Sequence, residues 1–253
     1  MNNDMTEIRR VMYKCAICKK RNTRTESASL DTFEIATISD LERRRYLFDF
    51  NILAICCSKC GYCASNIEVA DDVKRIKQLI NFDEYKVIIS NSNRPKTANG
   101  YVCCAYLAEN DLDSEESAYY WLYAAWVCDK DDYWKNAGIE CRKRSAELFE
   151  MIIKDNTIKM PPIEYSLLMI DIYRRIEDST KVEEWRRKLM NEIYKYENKI
   201  TSSFSLSSSI KEDTKKNNKE DKNDLEANRE DIKERVGRIK SKVEEKLYDW
   251  FGE

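Results

Sequence analysis

Apolar positions along the chain change their spacing near residue 70, from the alternation expected of strands to the three-and-four steps expected of helices. In the first part, Phe33, Ile35 and Thr37 alternate with polar or small neighbours, and Phe50-Asn51-Ile52-Leu53-Ala54-Ile55 runs directly into a cysteine-rich turn; both read as β-strands. Beyond it, Val73, Ile76, Leu79 and Ile80 mark one helix, Tyr101 to Leu107 a second, and Ala118, Trp121, Leu122, Ala125 and Trp126 a third. Longer helices are expected over Tyr133 to Ile153, Pro162 to Ile176 and Val182 to Tyr196. Small residues beside large ones, as in Tyr123-Ala124-Ala125-Trp126 and Cys141 with Ala146, suit antiparallel pairs whose axes approach closely, the device of tetratricopeptide-like arrays. The period is imperfect and the glycines of the strict tetratricopeptide consensus are missing.

From Thr201 to about Asn228 the chain turns to Ser, Lys, Asn, Asp and Glu with few apolar residues, a composition that buries too little surface to order itself. After it, Ile232, Val236, Ile239, Val243, Leu247 and Trp250 recur in steps of four and three, an apolar stripe on a charged helix. Such a helix needs a surface to cover its stripe, either the body of the protein, its own copy in a homodimer, or a partner.

Composition supports the helical reading. Five Gly and 3 Pro in 253 residues, with 36% charged residues, leave little material for turns and bends, while 42% apolar residues suffice for a core. A net charge of −2 argues against a protein that wraps nucleic acid over its whole surface. No apolar run is long enough to span a bilayer and the first residues lack a signal-peptide pattern, so no membrane role and a cytoplasmic location are expected.

In a reducing compartment, the ten cysteines point to metal or redox chemistry and not to a disulfide framework. Cys15 and Cys18 form one C-x-x-C pair, and Cys57 and Cys60 a second within Cys56-Cys57-Ser58-Lys59-Cys60-Gly61-Tyr62-Cys63. Two such pairs supply the four thiolates of one closed, structural Zn²⁺ site, with no coordination position left for water. Gly61 directly follows the second pair, where such turns often need a positive φ; Lys19 stands at the equivalent place after the first. Cys60 and Cys63 are also spaced C-x-x-C, so the ligand choice is open at that end. Cys56 and Cys63 otherwise read as small buried hydrophobes, and a dithiol redox centre is the competing functional reading. Cys103, Cys104, Cys128 and Cys141 lack paired metal spacing and are expected to be buried.

The chain has no histidine, which removes the commonest general base and any Ser-His or Cys-His nucleophilic pair; no residue is assigned a catalytic role. Arg9, Arg10, Lys14, Lys19, Lys20, Arg21 and Arg24 surround the first knuckle, and a ribbon with basic loops can touch phosphates. The same charges also offset the negative charge of a thiolate cluster. Acids gather at Glu109, Asp111, Asp113, Glu115 and Glu116 and at Asp129, Asp131 and Asp132, where helix capping accounts for them, with Asp113 or Ser114 capping the helix that follows.

Four segments resemble a family of uncharacterised microbial cytosolic proteins that join an N-terminal four-cysteine zinc ribbon to tetratricopeptide-like helices. Cys15-Ala16-Ile17-Cys18 is similar to its first knuckle, and Ile55 to Tyr62 to its apolar strand and Cys-Pro-x-Cys-Gly-Tyr knuckle. Tyr120 to Trp126 is similar to its Leu-Arg-Leu-Ala-Trp helix, and Ile172-Tyr173-Arg174-Arg175-Ile176 with Trp185 to its final repeat. Ser58 replaces the family's proline and Lys19 its glycine, and the chain after 200 lies outside the resemblance. The resemblance implies architecture and carries no enzymatic activity.

The expected organisation is therefore a mainly α protein: a small β zinc-ribbon module over 1–70, a helical domain of tetratricopeptide-like antiparallel pairs over 71–200, a polar disordered linker over 201–228 and a C-terminal amphipathic helix over 229–252. The leading functional expectation is a non-enzymatic scaffold or adaptor that binds a protein or peptide on its helical surface. A nucleic-acid-associated regulator using the basic first knuckle is the alternative, and a metal-dependent enzyme with carboxylates in the helical domain the third.

Overall fold

The first knuckle is the tip of a β-hairpin. In the computed structural model, which describes residues 8–27, 36–38, 42–44, 54–212 and the isolated positions 237, 241, 243, 245 and 248, β1 (Ile8–Lys14) pairs antiparallel with β2 (Arg21–Ser27), and Lys14 faces Arg21 across the turn. Arg10, Met12 and Lys14 are exposed while Val11 and Tyr13 are half-buried, the period-two alternation of a strand with one covered face. This hairpin is not among the expected strands, because its basic residues read as charge around the knuckle and not as the outward half of that alternation. Two further antiparallel pairs follow, β3 (Ala36–Ile38) with β4 (Glu42–Arg44) and β5 (Ile55–Cys56) with β6 (Cys63–Ala64). Thr37 lies in β3 and Ile55 in β5 as expected; Phe33, Ile35 and Phe50 to Leu53 lie outside the described residues.

Helices make up most of the rest: α1 (Val73–Leu79), α2 (Asp83–Ile89), α3 (Lys96–Asn110), α4 (Ser114–Cys128), a 3₁₀ turn at Asp132–Trp134, α5 (Lys135–Lys154), α6 (Pro162–Ile176) and α7 (Ser179–Glu212). The mainly α architecture with a small N-terminal β part and packed helix pairs is the one expected. Asp113 caps α4 by accepting from the Glu116 N–H, as its position suggested, and Asp72 caps α1 by accepting from the Arg75 N–H. Helix α2 was not anticipated, although Tyr85, Ile88 and Ile89 turn inward at i, i+3 and i+4 while Val87 is exposed.

α3 is the central element of the first compact unit, which comprises Met1–Met160 and Leu167–Glu183. It packs against β6, α2 and α4, and Ala98 through Ala105 are all buried; a helix covered on every side has no polar face to give a period. Tyr101 meets Tyr123 ring-edge to ring-face at 5.7 Å, and Glu109 accepts from the Ser117 hydroxyl and the Trp121 indole. The pairing therefore runs antiparallel. α4 and α5 repeat it, with Tyr119 against Phe149 at 5.1 Å and the Ser145 hydroxyl donating to the Ala118 carbonyl. Alanines 118, 124, 125, 137 and 146 are buried in these helices and let the axes approach.

At the end of α4, Asp129 accepts from Arg142 of α5 and from Arg175 of α6, so one carboxylate serves two arginines. Asp171 of α6 is fully buried; Arg174 binds its Oδ1, and its Oδ2 has no hydrogen-bond partner. Burial raises this carboxyl above its ordinary value against the pull of Arg174, Arg175 and Arg142.

The second unit comprises Pro161–Ser166 and Glu184–Glu253. Within it Trp185 is buried against Tyr165, with the rings 6.2 Å apart and perpendicular, and Lys188 Nζ lies 3.8 Å from the Trp185 ring. α7 continues to Glu212, past the expected break at Thr201. No glycine or proline occurs between Pro162 and Gly237 to stop it, and elongation of an established helix costs far less than starting one. The remainder of the linker, residues 213–228, lies outside the described residues, as does most of the C-terminal helix; of its stripe Val243 is described, helical and buried.

Candidate metal centre

Both cysteine pairs sit in the same turn. In the first, the Lys19 N–H donates to the Cys15 carbonyl and the Cys15 N–H to the Lys20 carbonyl, each at 2.9 Å. In the second, the Gly61 N–H donates to the Cys57 carbonyl at 2.9 Å and the Cys57 N–H to the Tyr62 carbonyl at 2.8 Å. The residue closing each turn has positive φ, 77° at Gly61 and 60° at Lys19. Gly61 thus takes the conformation expected of it, and Lys19 adopts the same one despite its Cβ.

The two turns face each other. Cys15 Sγ lies 3.7 Å from Cys60 Sγ and Cys18 Sγ 3.5 Å from Cys57 Sγ, and all four sulfurs lie within 4.8 Å of one another. A tetrahedral ion with metal–sulfur bonds of about 2.3 Å needs sulfurs about 3.8 Å apart, so this group can hold one metal ion. Among the described residues no other cluster of this kind occurs. Cys15 and Cys57 are buried and Cys18 and Cys60 half-buried.

Several unanticipated residues hold the turns in register. Asn22, at the start of β2, bridges the two knuckles: its amide donates to the Lys20 carbonyl and to Cys57 Sγ, and its Oδ1 accepts from the Ser58 N–H and hydroxyl. The Ala16 N–H donates to the carbonyl of fully buried Ile67, and the Tyr85 hydroxyl of α2 donates to the Gly61 carbonyl. Only spatial proximity reveals these partners, since Asn22 and Tyr85 carry no distinctive spacing. Partners of this kind fix the orientation of metal ligands.

The sulfurs differ in acidity. Burial opposes ionisation of Cys57, but the Cys60 and Lys59 backbone N–H groups, Asn22 and Cys18 bring it down to about 6. Burial pushes Cys15 and Cys60 up. Lys14, Lys19, Lys20, Arg21 and Lys59, within a few positions of these cysteines along the chain, are exposed.

Cys56 and Cys63 occupy directly opposed positions on β5 and β6 and form a disulfide. This corrects their reading as buried hydrophobes, which fails for Cys56 because it is exposed, and it commits Cys63 to Cys56 and not to the four-sulfur group. Cys103, Cys104, Cys128 and Cys141 are buried free thiols, as expected; burial raises Cys103 to about 12.

Several acids of the helical region are engaged in structure. Glu109 pairs with Arg144, Asp111 with Arg75, and Asp131 caps the 3₁₀ turn by accepting from the Tyr133 N–H. Two concavities flank the second knuckle. One, of about 670 Å³, is walled by Tyr62 to Asn66 and Val69 on the ribbon side and by residues of α1, α3 and α4 on the other. The second, of about 660 Å³, borders Cys56, Ser58 and the segment before α3. Among the described residues no helix is long and apolar enough to cross a membrane.

No protein family matches the sequence, and no curated protein or solved structure matches it either.

Proposed function

We propose that the protein is a non-enzymatic interaction module in which one zinc ion, bound by Cys15, Cys18, Cys57 and Cys60, staples the ribbon while a tetratricopeptide-like helical body offers a surface to a protein or peptide. The observation that carries this reading is the closed four-sulfur group, whose second knuckle is followed directly by the ribbon wall of the 670 Å³ cleft. A four-thiolate site leaves no ligand position for substrate and acts as a structural clamp. Soft thiolates and tetrahedral spacing favour zinc over the hard cations that carboxylates select. The cleft combines the apolar Val69, Ile76 and Leu107 with Asp71, Asp72, Asp111 and Glu116 against the single cation Arg75, a lining suited to a protein segment with apolar and basic side chains.

Elemental analysis of protein purified without added metal is expected to give one zinc per chain; less than half an equivalent, with all four thiols reactive, overturns the metal assignment. Partner capture then tests the surface. Val69 is 58% exposed in the cleft, so Val69→Asp should leave the zinc content unchanged and abolish nuclease-resistant partners. Retention of the same partners by the variant rejects the cleft.

A second reading, nucleic-acid association, is favoured by the exposed Lys14, Lys19, Lys20, Arg21 and Lys59 clustered about the two knuckles. Its test is captured material that nuclease removes and that steep salt dependence accompanies, both lost on reversing Lys19, Lys20 and Arg21.

A further inference from the structure

The disulfide across β5 and β6 is asymmetric in its exposure. Cys56 is exposed and lines the 660 Å³ cavity, whereas Cys63 is 1% exposed and does not border it. Of the pair, Cys56 is therefore the residue that a molecule in the cavity meets, with its Sγ set against Gly100 of α3. The same cavity is lined by Arg94 and Lys96 and by no aspartate or glutamate, which sets it apart from the acidic cleft on the other side of the ribbon. Arg94 is held in place: its Nε donates to Asn99 Oδ1 at 3.0 Å, Asn99 is itself anchored by donating to the Asn91 carbonyl at 2.6 Å, and the guanidinium carbon lies 5.8 Å from the Trp121 ring centre. A disulfide is opened by in-line attack of a thiolate on one sulfur, at a rate governed by access and by which sulfur is attacked.

We propose that this cavity binds a low-molecular-weight thiol bearing carboxylates, which exchanges with the Cys56–Cys63 disulfide at Cys56 Sγ. The incoming thiolate bonds to Cys56 Sγ, the Cys56–Cys63 bond breaks, and its electron pair leaves on Cys63 as a thiolate. A second equivalent of the small thiolate attacks the small-molecule sulfur of that mixed disulfide, releasing Cys56 as a thiolate and one small-molecule disulfide; two electrons pass from two thiols to the protein pair. In reverse, the small-molecule disulfide oxidises the reduced pair through the same Cys56 adduct. Exposed Lys96, with the positive charge of Arg94, whose side chain is also bonded to Cys141, attracts the carboxylates, so the site discriminates by charge. This inference does not rest on the metal reading, since neither Cys56 nor Cys63 belongs to the four-sulfur group.

The test uses the full chain, with its metal content recorded, and runs from both directions. Oxidised protein is treated with reduced glutathione or with cysteamine, an anionic and a cationic thiol, at matched thiolate concentration, and adducts are mapped by mass spectrometry after acid quench. Reduced Cys63→Ser protein, which cannot resolve the adduct, is treated with glutathione disulfide. Adducts are expected on Cys56, with glutathione faster than cysteamine by about tenfold, the lower end of electrostatic steering. Arg94→Gln with Lys96→Gln should bring the two rates together; Lys96→Glu alone, at an exposed position, should lower the ratio if the double variant does not fold. Adducts on Cys63 or on the knuckle cysteines, equal rates with the two thiols in the wild type, or a preference unmoved by these variants would overturn the proposal, as would failure of Cys56 and Cys63 to form a disulfide under glutathione disulfide.

Discussion

Lys19 and Gly61 close equivalent turns with left-handed backbone, and only one of them has the side chain for it. A Cβ in that region costs about 1–2 kcal/mol, while glycine's extra freedom in the unfolded chain costs about 0.5–1 kcal/mol. Lys19→Gly is therefore expected to raise the stability of the metal-loaded protein by up to about 1 kcal/mol in denaturant unfolding. Gly61→Ala should lower it, because the new Cβ also lies 3.1 Å from Ile89 Cδ1. Asp171 makes a different prediction. Its folded carboxyl titrates above the ordinary value of 3.8, so the native state keeps the proton to higher pH than the unfolded chain does. Its contribution to stability thus declines as pH rises from about 4 through the raised value. Between about pH 4 and pH 7 the melting temperature of Asp171→Asn should climb relative to the wild type; a constant difference across that window would refute the assignment. The glycine after Cys60 was legible in the sequence because C-x-x-C-G has a backbone reason behind it. Asn22, which holds both knuckles, was not, because one asparagine in a basic stretch has no pattern until the fold brings Ser58 to it.

Among the elements, α3 carries the tightest constraint. A Cβ on Gly100 would lie 2.9 Å from Cys56 Sγ and 3.7 Å from the Ala54 Cβ. Alanine would gain about 1 kcal/mol of helix propensity there, but overpacking a closed contact costs about 1–3 kcal/mol. Gly100→Ala is expected to be net destabilising by about 1 kcal/mol, read as a lowered melting temperature, with Gly138→Ala as the contrast at contacts of 3.3 Å. A second prediction concerns Asp129, which serves Arg142 and Arg175. Arg142 is 3% exposed on its side chain, and withdrawing the carboxylate from a buried arginine costs about 3 kcal/mol or more. Asp129→Ala should therefore destabilise far more than Asp131→Ala, whose loss is one cap worth about 1 kcal/mol. Elements with a clear period or cap, α1, α4 and α6, could be read from the chain with bounds within a few residues. α3 reads short in the sequence because it is buried all round, and α7 because a run of serines offers no apolar face although nothing in it breaks a helix.

For the whole molecule, the two compact units and the metal group make separate demands. Chelation is expected to abolish amide protection over Ile8–Ser27 and Ile55–Ala64 while leaving α4 and α5 protected, since those helices pack on each other through Tyr119, Phe149 and Ser145. Hydrogen exchange with and without chelator measures this; simultaneous loss of protection in α4 and α5 would mean that the metal organises the entire unit. The change from short strands to helices was visible in the sequence as the switch of period near residue 70, and the four sulfurs as two short spacings. The disulfide was not, because C-C-x-x-C-x-x-C permits several pairings and only the cross-strand register selects one.

The sulfurs that meet in the cluster lie 39 and 45 positions apart in the chain. A cross-link spanning some 40 residues removes about 4 kcal/mol of freedom from the unfolded chain, yet the closure cost grows only with the logarithm of length. Doubling the intervening segment would cost about 0.6 kcal/mol. The stretch between the knuckles is thus a natural insertion point: a whole peptide epitope or a small folded domain can be spliced there, with the clamp still closing at its two ends.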